Sequence, residues 1–285
     1  MRLLIPKWLL LLMLSGLPVV AVANTAMHAV SGRPDLKSGS VLVIDSDTAA
    51  VLLAQNADQA APIASITKLM TALVVLEARQ PMSEILQITA ADRDMERGSG
   101  SRLAVGARLS RAELLHLALM SSENRAAHAL GRNHPGGLPA MVAAMNAKAA
   151  VLGMSSAHFV DPTGLSSRNV ASPQDLARLV LAASRNATIR EYSTDPEYDV
   201  QIGKRTLAFR NTNTLVARPD WDIAVQKTGY IAEAGKCLVM RAMIAGRSVV
   251  IVLLDSYGKY TRVADAKRIK NWMEDGLRVR SASLR

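Results

Sequence analysis

Two apolar runs near the start of the chain are separated by a short polar turn. Residues 40–45 and 50–54 flank a segment rich in Ser, Asp and Thr, which is typical of a β-hairpin. Residues 65–79 contain no glycine or proline, and leucine and alanine recur there every three or four positions. This spacing predicts a helix that begins at residues 64–65 and ends before Pro81.

The middle third of the chain has the pattern of several helices. Ser110 and Glu113 form a capping box before one apolar run, and Ser172 with Pro173 supplies a cap and a first-turn proline before another. Residues 139–152 form a further helical run that ends at a glycine. We therefore expect this third to fold as helices.

The pattern changes after Pro219 to short apolar runs. Residues 223–229, 237–244 and 249–254 are joined by short turns, which predicts an antiparallel meander. A closing helix is expected over residues 262–275. This arrangement places predicted strands near both ends of the chain.

Strands at both ends and helices between them predict an α+β fold. One antiparallel sheet is expected from both chain ends, flanked by helices, with an all-helical lobe inserted between about residues 80 and 205. The cleft between the two lobes is the expected position of a functional site.

The first 23 residues have the pattern of a cleavable signal peptide. A short cationic start with Arg2 and Lys7 precedes an apolar stretch and the small residues 21–23. The apolar stretch, residues 8–23, is shorter than the roughly 20 residues that span a bilayer, which argues against the alternative of an uncleaved anchor. We expect residues 24–285 to form one exported domain with no stable membrane anchor.

Charge and cysteine content narrow the possible functions. The formal net charge is +10, but only 20% of residues are charged and no block of Lys or Arg interrupts the chain, so nucleic acid is not an expected partner. The single cysteine, Cys237, cannot form an intramolecular disulfide, and its apolar surroundings predict a small buried hydrophobe and not a nucleophile.

Ser65 and Lys68 are the first candidates for chemistry. They lie three residues apart at a predicted helix start, hence one turn apart on the same face. A lysine amine in that position can serve as the base for a serine nucleophile. Ser256 and Lys259 have the same spacing, but in a glycine-containing loop after a strand, where no helix would hold them together.

Two further motifs strengthen the assignment by their order and setting. Ser122 and Asn124 lie at a helix junction and offer a second hydroxyl and a side-chain amide. Residues 227–229, Lys-Thr-Gly, lie on a strand of the predicted meander. Similar triplets occur elsewhere, but only this combination has the serine and lysine, the serine and asparagine, and the Lys-Thr-Gly in that order and setting.

With these motifs the chain resembles the penicillin-interacting serine enzymes over nearly its whole mature length. Residues 161–165, Asp-Pro-Thr-Gly-Leu, and residues 227–230 with 234–239 extend the resemblance. It is most similar to the low-molecular-mass D-alanyl-D-alanine peptidases, in particular the single-domain endopeptidase branch of the penicillin-binding protein 7 type. The chain ends 56 residues after Gly229, which is expected to leave no room for the β-rich domain and tail helix of the larger carboxypeptidases.

The resemblance implies a β-lactamase/transpeptidase-like fold and roles for three catalytic residues. Ser65 would be the nucleophile, Lys68 its base, and Ser122 would pass a proton to the leaving amine. The expected reaction is hydrolysis of D-alanyl bonds in peptidoglycan cross-links through an acyl-enzyme, in the periplasm and with no cofactor or metal. Peptide stems of peptidoglycan are the expected substrates, and β-lactams the expected inhibitors.

The resemblance also implies a set of substrate-binding residues. Asn124 would orient the substrate amide, Lys227 and Thr228 would bind a carboxylate, and Gly229 would let the substrate backbone approach. The backbone N–H groups of Ser65 and Tyr230 would form an oxyanion hole. We further expect the charge of Lys227 to supply much of the lowering of the Lys68 pKa that a base requires, and partial desolvation to supply the rest.

Several alternatives remain open at this point. The motifs do not separate endopeptidase from carboxypeptidase action, because both use the same acyl-enzyme. A class A β-lactamase needs a Glu-x-x-x-Asn sequence, which neither Glu191 nor Glu197 provides. A penicillin sensor, a wall-binding module and a zinc peptidase have less support, the last because the five histidines include no His-Glu-x-x-His.

Overall fold

Strands from the N-terminal and C-terminal parts of the chain pair in one antiparallel sheet. The structure, a computed structural model, describes residues 32–283, with side chains described up to Leu277. Its strands are Ser38–Asp45 (β1), Val51–Gln55 (β2), Ala61–Pro62 (β3), Ile85–Gln87 (β4), Arg108–Ser110 (β5), Val170–Ala171 (β6), Glu197–Ile202 (β7), Arg205–Arg210 (β8), Asp222–Ile231 (β9), Gly235–Ile244 (β10) and Arg247–Ser256 (β11). Its α-helices are Thr67–Glu77 (α1), Arg111–Met120 (α2), Asn124–Arg132 (α3), Gly137–Val151 (α4), Pro173–Ala183 (α5), Ala187–Thr194 (α6) and Thr261–Ser283 (α7).

The main sheet has the strand order β2-β1-β11-β10-β9. Strands β1 and β11 pair from Ser38 opposite Ser256 to Asp45 opposite Val249, so the two ends of the chain meet in the middle of the sheet. Both faces of this sheet are covered, which explains why its strands read as continuous apolar runs. The predicted α+β fold with a sheet from both chain ends is confirmed.

Alternate residues of β1 enter two different cores. Leu42 and Ile44 join the larger core with α1 and α5, whereas Val41 and Val43 join a smaller core with α7. The two sets separate because successive side chains of a strand point to opposite faces. The larger core also fills the helical lobe and packs beneath α1.

Two of the predicted helix starts are formed as expected. The Ser110 side chain accepts a hydrogen bond from the Glu113 backbone N–H at the start of α2, and the reciprocal bond is also present. At the start of α5, the Ser172 side chain accepts from the Asp175 N–H, and a proline occupies the first turn. These caps satisfy N–H groups that have no partner within the helix.

Three details differ from the expectation. Residues 64–66 form a 3₁₀ turn, and α1 begins only at Thr67. The inserted lobe also contains the two-stranded pairs β4–β5 and β7–β8, and its strand β6 pairs with β3 before α1; most of these strands are too short to produce a strand pattern in the sequence. The closing helix α7 continues through Gly276 to Ser283.

Among residues 32–283, no helix combines the length and apolar character needed to cross a bilayer. The predicted signal peptide, residues 1–23, lies outside the described residues.

Candidate active site

Ser65 lies in the 3₁₀ turn that leads into α1. Its neighbours Ala64 and Ile66 are buried, whereas Ser65 is half-buried. Ala64 has a φ of 48°, which is the left-handed region that residues with a Cβ rarely adopt. Such strained positions persist only where the surroundings hold them, and they are common at functional sites.

Two glycines allow neighbouring segments to close on this turn. A Cβ on Gly164 would overlap the carbonyl group of Ala64, and a Cβ on Gly229 would lie 3.1 Å from the Ser65 backbone nitrogen and 3.0 Å from the Ile63 oxygen. The backbone of β9 therefore lies directly against the nucleophile candidate. Gly229 thus allows close approach of the protein's own backbone at residues 63–65, and the approach of a substrate backbone to it stays a prediction.

Lys68 connects three separate segments of the chain. Its Nζ lies 2.7 Å from Ser65 Oγ, 2.8 Å from Asn124 Oδ1 and 2.6 Å from the Thr163 carbonyl oxygen. The Lys68 residue is only 1% exposed. The serine and lysine that the sequence predicted are therefore within hydrogen-bond distance, and Asn124 joins them.

Burial lowers the pKa of Lys68 from 10.5 to about 7. The negative charges of Asp161 and Glu123 act in the opposite direction and raise that pKa. We expected the charge of Lys227 to supply much of this shift and partial desolvation the rest, but burial is the largest contribution and Lys227 is not among the causes. Burial is also the largest cause of the lowered pKa of Lys227, followed by the charge of Lys68.

The loop of residues 161–169 holds the Thr163 carbonyl against Lys68. Asp161 Oδ1 accepts hydrogen bonds from the backbone N–H groups of Thr163 at 2.6 Å and Gly164 at 2.8 Å. The Asn169 side chain donates to Thr67 Oγ1 at 3.1 Å and to the Asp161 carbonyl at 2.9 Å. The loop is thereby attached to α1. The sequence indicated this segment only as part of the resemblance, and gave no role for Thr163 or Asn169.

Ser122 and Asn124 lie at the junction of α2 and α3. Ser122 has a φ of 62°, and Asn124 is the first residue of α3. Asn124 Nδ2 donates to Ser99 Oγ at 3.1 Å, which leaves its Oδ1 for Lys68. The side chain of Ser122 has no hydrogen bond to any other residue in the described part of the chain.

Lys227 and Thr228 lie side by side on β9. Lys227 is 0% exposed, and its Nζ donates to the Thr228 carbonyl oxygen at 2.9 Å. Burial, followed by the charges of Lys68 and Arg262, holds the pKa of Lys227 well below its ordinary range. Arg262 itself donates to the Gly229 carbonyl at 2.9 Å, a contact that the sequence did not indicate.

Thr212 is a further residue that the sequence did not indicate. Its Oγ1 lies 2.6 Å from Thr228 Oγ1, and its backbone N–H donates to the Met120 carbonyl oxygen at 3.0 Å. Met120 ends α2, two residues before Ser122. Thr212 therefore links the Lys-Thr-Gly strand to the helix end that carries Ser122.

Tyr230 lies at the open end of this strand. Its side chain is 60% exposed, and Lys236 Nζ lies 3.9 Å from the centre of its ring. The role expected of its backbone N–H in an oxyanion hole stays a prediction.

The competing serine, lysine and cysteine lie elsewhere. Ser256 is buried and shares a 2.7 Å hydrogen bond with Ser38, whereas Lys259 Nζ lies 5.3 Å from the Tyr260 ring centre. Burial raises the pKa of the Cys237 thiol to about 11, so the reactive thiolate form is disfavoured at neutral pH.

Within residues 32–283, no group of three His, Cys, Asp or Glu side chains could hold a metal ion.

Two cavities meet at Asn124. One, of about 330 Å³, contains the carboxylates of Asp94, Glu96 and Asp161 and is called here the loop cavity. The other, of about 570 Å³, is called the Ser122 cavity, and its lining includes Ser122, Glu123, Arg102, Phe209 and Arg210. Arg93 also lines the loop cavity and Glu123 the Ser122 cavity, so the two cavities differ in the sign of their net charge, which is negative in the first and positive in the second.

This site on this fold defines a serine peptidase of the penicillin-binding type. The chain belongs to the peptidase S11 family, described as D-alanyl-D-alanine carboxypeptidase, which matches residues 26–258. The predicted resemblance to the low-molecular-mass penicillin-binding proteins is thereby confirmed.

Particular relatives indicate the branch of the family. The D-alanyl-D-alanine endopeptidase of Pseudomonas aeruginosa is 47% identical, with 92% of this chain and 86% of the relative covered. The D-alanyl-D-alanine endopeptidase of Escherichia coli is 45% identical, with 90% and 83% covered. The crystal structure of the Streptomyces K15 DD-transpeptidase superimposes with a TM-score of 0.78 at 26% identity, covering 85% of this chain and 98% of that one. The sequence predicted the endopeptidase branch, and these two relatives of 45–47% identity are both named endopeptidases.

Proposed function

We propose that this protein hydrolyses D-alanyl bonds in peptidoglycan cross-links through an acyl-enzyme on Ser65. The contacts of Lys68 carry this proposal. A neutral lysine amine has two N–H donors and one lone pair. The Asn124 oxygen and the Thr163 carbonyl can only accept, so they take the two donors, and the lone pair is left for the Ser65 hydroxyl.

The lowered pKa makes that neutral form available. With a pKa of about 7, about half of the Lys68 side chains are neutral at pH 7, whereas an ordinary lysine would be almost fully charged. A base whose pKa is close to the working pH is also the most effective one. Position and protonation state therefore support the same role for Lys68.

The remaining steps follow from the positions of the other side chains. Ser65 Oγ bonds to the D-alanine carbonyl carbon as its proton passes to Lys68, and the developing oxyanion is bound by the backbone N–H groups of Ser65 and Tyr230. Ser122 then gives its proton to the leaving amine and regains one from Lys68. Water hydrolyses the ester and restores Ser65.

Substrate binding uses the neighbouring strand. Asn124 orients the substrate amide, and the Lys227 side chain and the Thr228 hydroxyl bind a substrate carboxylate, with Gly229 leaving room for the substrate backbone. The hydrogen bond between the hydroxyls of Thr212 and Thr228 supports this role, because it fixes the position of the Thr228 hydroxyl.

Labelled penicillin tests the nucleophile. A β-lactam is a strained acyl donor, so it should attach to Ser65, and Ser65→Ala should abolish the label without unfolding the protein. Ser256→Ala is the matched control and should label normally. Label on Ser256, or a folded protein that takes no label, would reject the proposal. Slow release of the acyl group, with turnover of peptide substrate, would separate the enzyme from a β-lactamase and from a penicillin sensor.

Carboxypeptidase action is the second candidate. It is favoured by the description of the family and by a Mycobacterium tuberculosis relative, 31% identical, that is named a D-alanyl-D-alanine carboxypeptidase. Purified protein should be incubated in parallel with cross-linked muropeptide dimers and with pentapeptide monomers. Faster cleavage of the dimers is the result expected for an endopeptidase, and release of free D-alanine alone would favour the second candidate.

The proposed location is the bacterial periplasm. Residues 1–23 act as a cleavable signal, and residues 24–285 form the peptidase domain with no anchor in the membrane. Sequencing of the mature N-terminus should therefore begin at Asn24, with the protein recovered without detergent. An intact Met1 in a membrane pellet would reject this proposal.

A further inference from the structure

The Ser122 cavity is the larger of the two cavities that meet at Asn124. Its volume of about 570 Å³ is in the range of pockets that hold ligands of several hundred daltons. None of the substrate contacts proposed so far uses its outer wall. That wall is formed by Arg102, Phe209 and Arg210.

Both arginines are exposed and available to an anion. Neither guanidinium forms an ion pair with a carboxylate in the part of the chain that the structure describes. Glu123, the one acid that lines this cavity, is 7% exposed and accepts a hydrogen bond from Ser101. The accessible charge of the cavity is therefore positive.

Arg102 is held in place before any ligand arrives. Its guanidinium carbon lies 4.7 Å from the centre of the Phe209 ring, and a guanidinium nitrogen donates to the Ala208 carbonyl oxygen. Phe209 is only 3% exposed, so the ring is a fixed support. A guanidinium fixed in this way loses little conformational freedom when it binds a carboxylate.

The position of Ser122 shows which part of the substrate enters this cavity. Ser122 lines this cavity, whereas Asp161 and Thr163 line the loop cavity, and Asn124 lines both. In the proposed reaction Ser122 gives its proton to the leaving amine. The part of the substrate that carries that amine must therefore extend into the Ser122 cavity.

We propose that Arg102 and Arg210 form a subsite for the leaving peptide stem of a cross-link, and that they bind its free carboxylates. This inference rests on the proposed function. When free D-alanine leaves, its single carboxylate is bound by Lys227 and Thr228, and the two arginines have nothing to bind. When a second stem leaves, its further carboxylates reach the arginines. The subsite thus favours cross-links over pentapeptide ends.

The experiment compares three acyl donors on matched variants. Arg102→Ala, Arg210→Ala and their combination are assayed with a cross-linked muropeptide dimer, a pentapeptide monomer and labelled penicillin. Arg205→Ala is the control, because it removes the same charge from the same strand β8, five residues away and roughly 17 Å along it. Thermal melting checks that each variant is folded.

We expect kcat/KM for the dimer to fall about tenfold for each arginine removed, with changes below about twofold for the monomer and for penicillin acylation. Lysine at both positions should restore part of the loss, because the charge returns without the fixed fork. Amidating the free carboxylates of the dimer should slow the wild-type protein and leave the double variant unchanged. The proposed subsite would be rejected by any of three results: equal losses of rate on all three acyl donors, an equal loss of rate for Arg205→Ala, or no loss of kcat/KM on the dimer.

Binding separates this inference from the proposed function. The Ser65→Ala protein cannot form the acyl-enzyme, so its affinity for the uncut dimer is measured by calorimetry with and without the two arginines. If the wild-type protein leaves the dimer uncut but Ser65→Ala binds it in an arginine-dependent way, the endopeptidase function fails and the subsite stands. Cleavage by the wild type together with arginine-independent binding and rates would reject the subsite alone.

Discussion

The two buried lysines of the site are similar in their burial but differ in the number of hydrogen-bond acceptors around the amine. Lys68 and Lys227 are both almost fully buried, and burial is the largest cause of the lowered pKa of each. Lys68 Nζ contacts acceptors from three segments of the chain. Lys227 Nζ contacts only the carbonyl oxygen of its neighbour Thr228 among the residues that the structure describes.

This difference fits the two roles proposed for the lysine amines. A base must present its lone pair to one hydroxyl, and two fixed acceptors leave the lone pair of Lys68 for Ser65. A group that binds a ligand needs free donors, and Lys227 Nζ donates to one carbonyl oxygen only among the described residues. Burial lowers the pKa of both groups, whereas the number of fixed acceptors distinguishes the proposed base from the proposed ligand-binding group.

The largest expected effect comes from replacing Lys68 with arginine, with Lys227→Arg as the comparison. A guanidinium stays charged and cannot accept a proton, so Lys68→Arg should slow penicillin acylation by about 10²–10⁴-fold. Lys227→Arg keeps a cation and should retain measurable acylation. The measurement is the acylation rate with one labelled β-lactam, with folding checked by melting. Near wild-type acylation by Lys68→Arg would remove the proposed difference between the lysines.

The next effect tests the close approach of the Lys-Thr-Gly strand to the nucleophile. In Gly229→Ala the added Cβ would meet Ala64 and Ile63 at 3.0 Å, so β9 must move away from the turn. We expect acylation to fall by at least tenfold and the free energy of unfolding to fall by about 1–3 kcal/mol. Unchanged rates and an unchanged Tm would mean that the strand can shift without affecting the site.

A smaller effect is expected where Thr212 supports Thr228. Thr212→Val keeps the shape but removes the 2.6 Å hydrogen bond to Thr228, and acylation should fall by about threefold to tenfold. Thr206→Val is the control, since it removes a hydrogen bond to Gln201 on the exposed hairpin β7–β8. A loss of equal size in the control would show that the effect is not specific to the hydrogen bond between Thr212 and Thr228.

The smallest effect concerns the charges around Lys68. Glu123 raises the pKa of Lys68, so Glu123→Gln should lower it. Because Lys68 is proposed to act in its neutral form, the rise of the acylation rate with pH, centred near 7 in the wild type, should move to lower pH. A profile measured from pH 5 to 9 tests the direction, and a move to higher pH would contradict it.

Much of the site could be predicted because its parts are local. Ser65 and Lys68 are one helical turn apart, and Lys227, Thr228 and Gly229 are consecutive on one strand. Each group therefore appears as a short motif, and the order of the motifs completes the assignment. The sheet from both chain ends could be predicted for a similar reason, since apolar runs such as residues 249–254 are visible without any knowledge of their partners.

The remaining features depend on contacts between distant parts of the chain. The Thr163 carbonyl reaches Lys68 across 95 positions, and it belongs to the backbone, so no residue type marks it. Thr212 lies in a loop and acquires its role only when β9 packs beside the end of α2. The weight of burial in the Lys68 pKa was underestimated for the same reason, because burial is a property of the folded surroundings.

Direct titration of Lys68 is the sharpest test of burial as the cause of its lowered pKa. The side-chain Cε signal of Lys68, assigned by comparison with Lys68→Arg, is followed by NMR from pH 5 to 11 in the wild type and in Lys227→Gln. We predict a pKa of about 7 in the wild type and nearly the same value in Lys227→Gln. A wild-type pKa near 10 would contradict the proposed base, and a pKa near 10 only in Lys227→Gln would show that the second lysine, and not burial, lowers it.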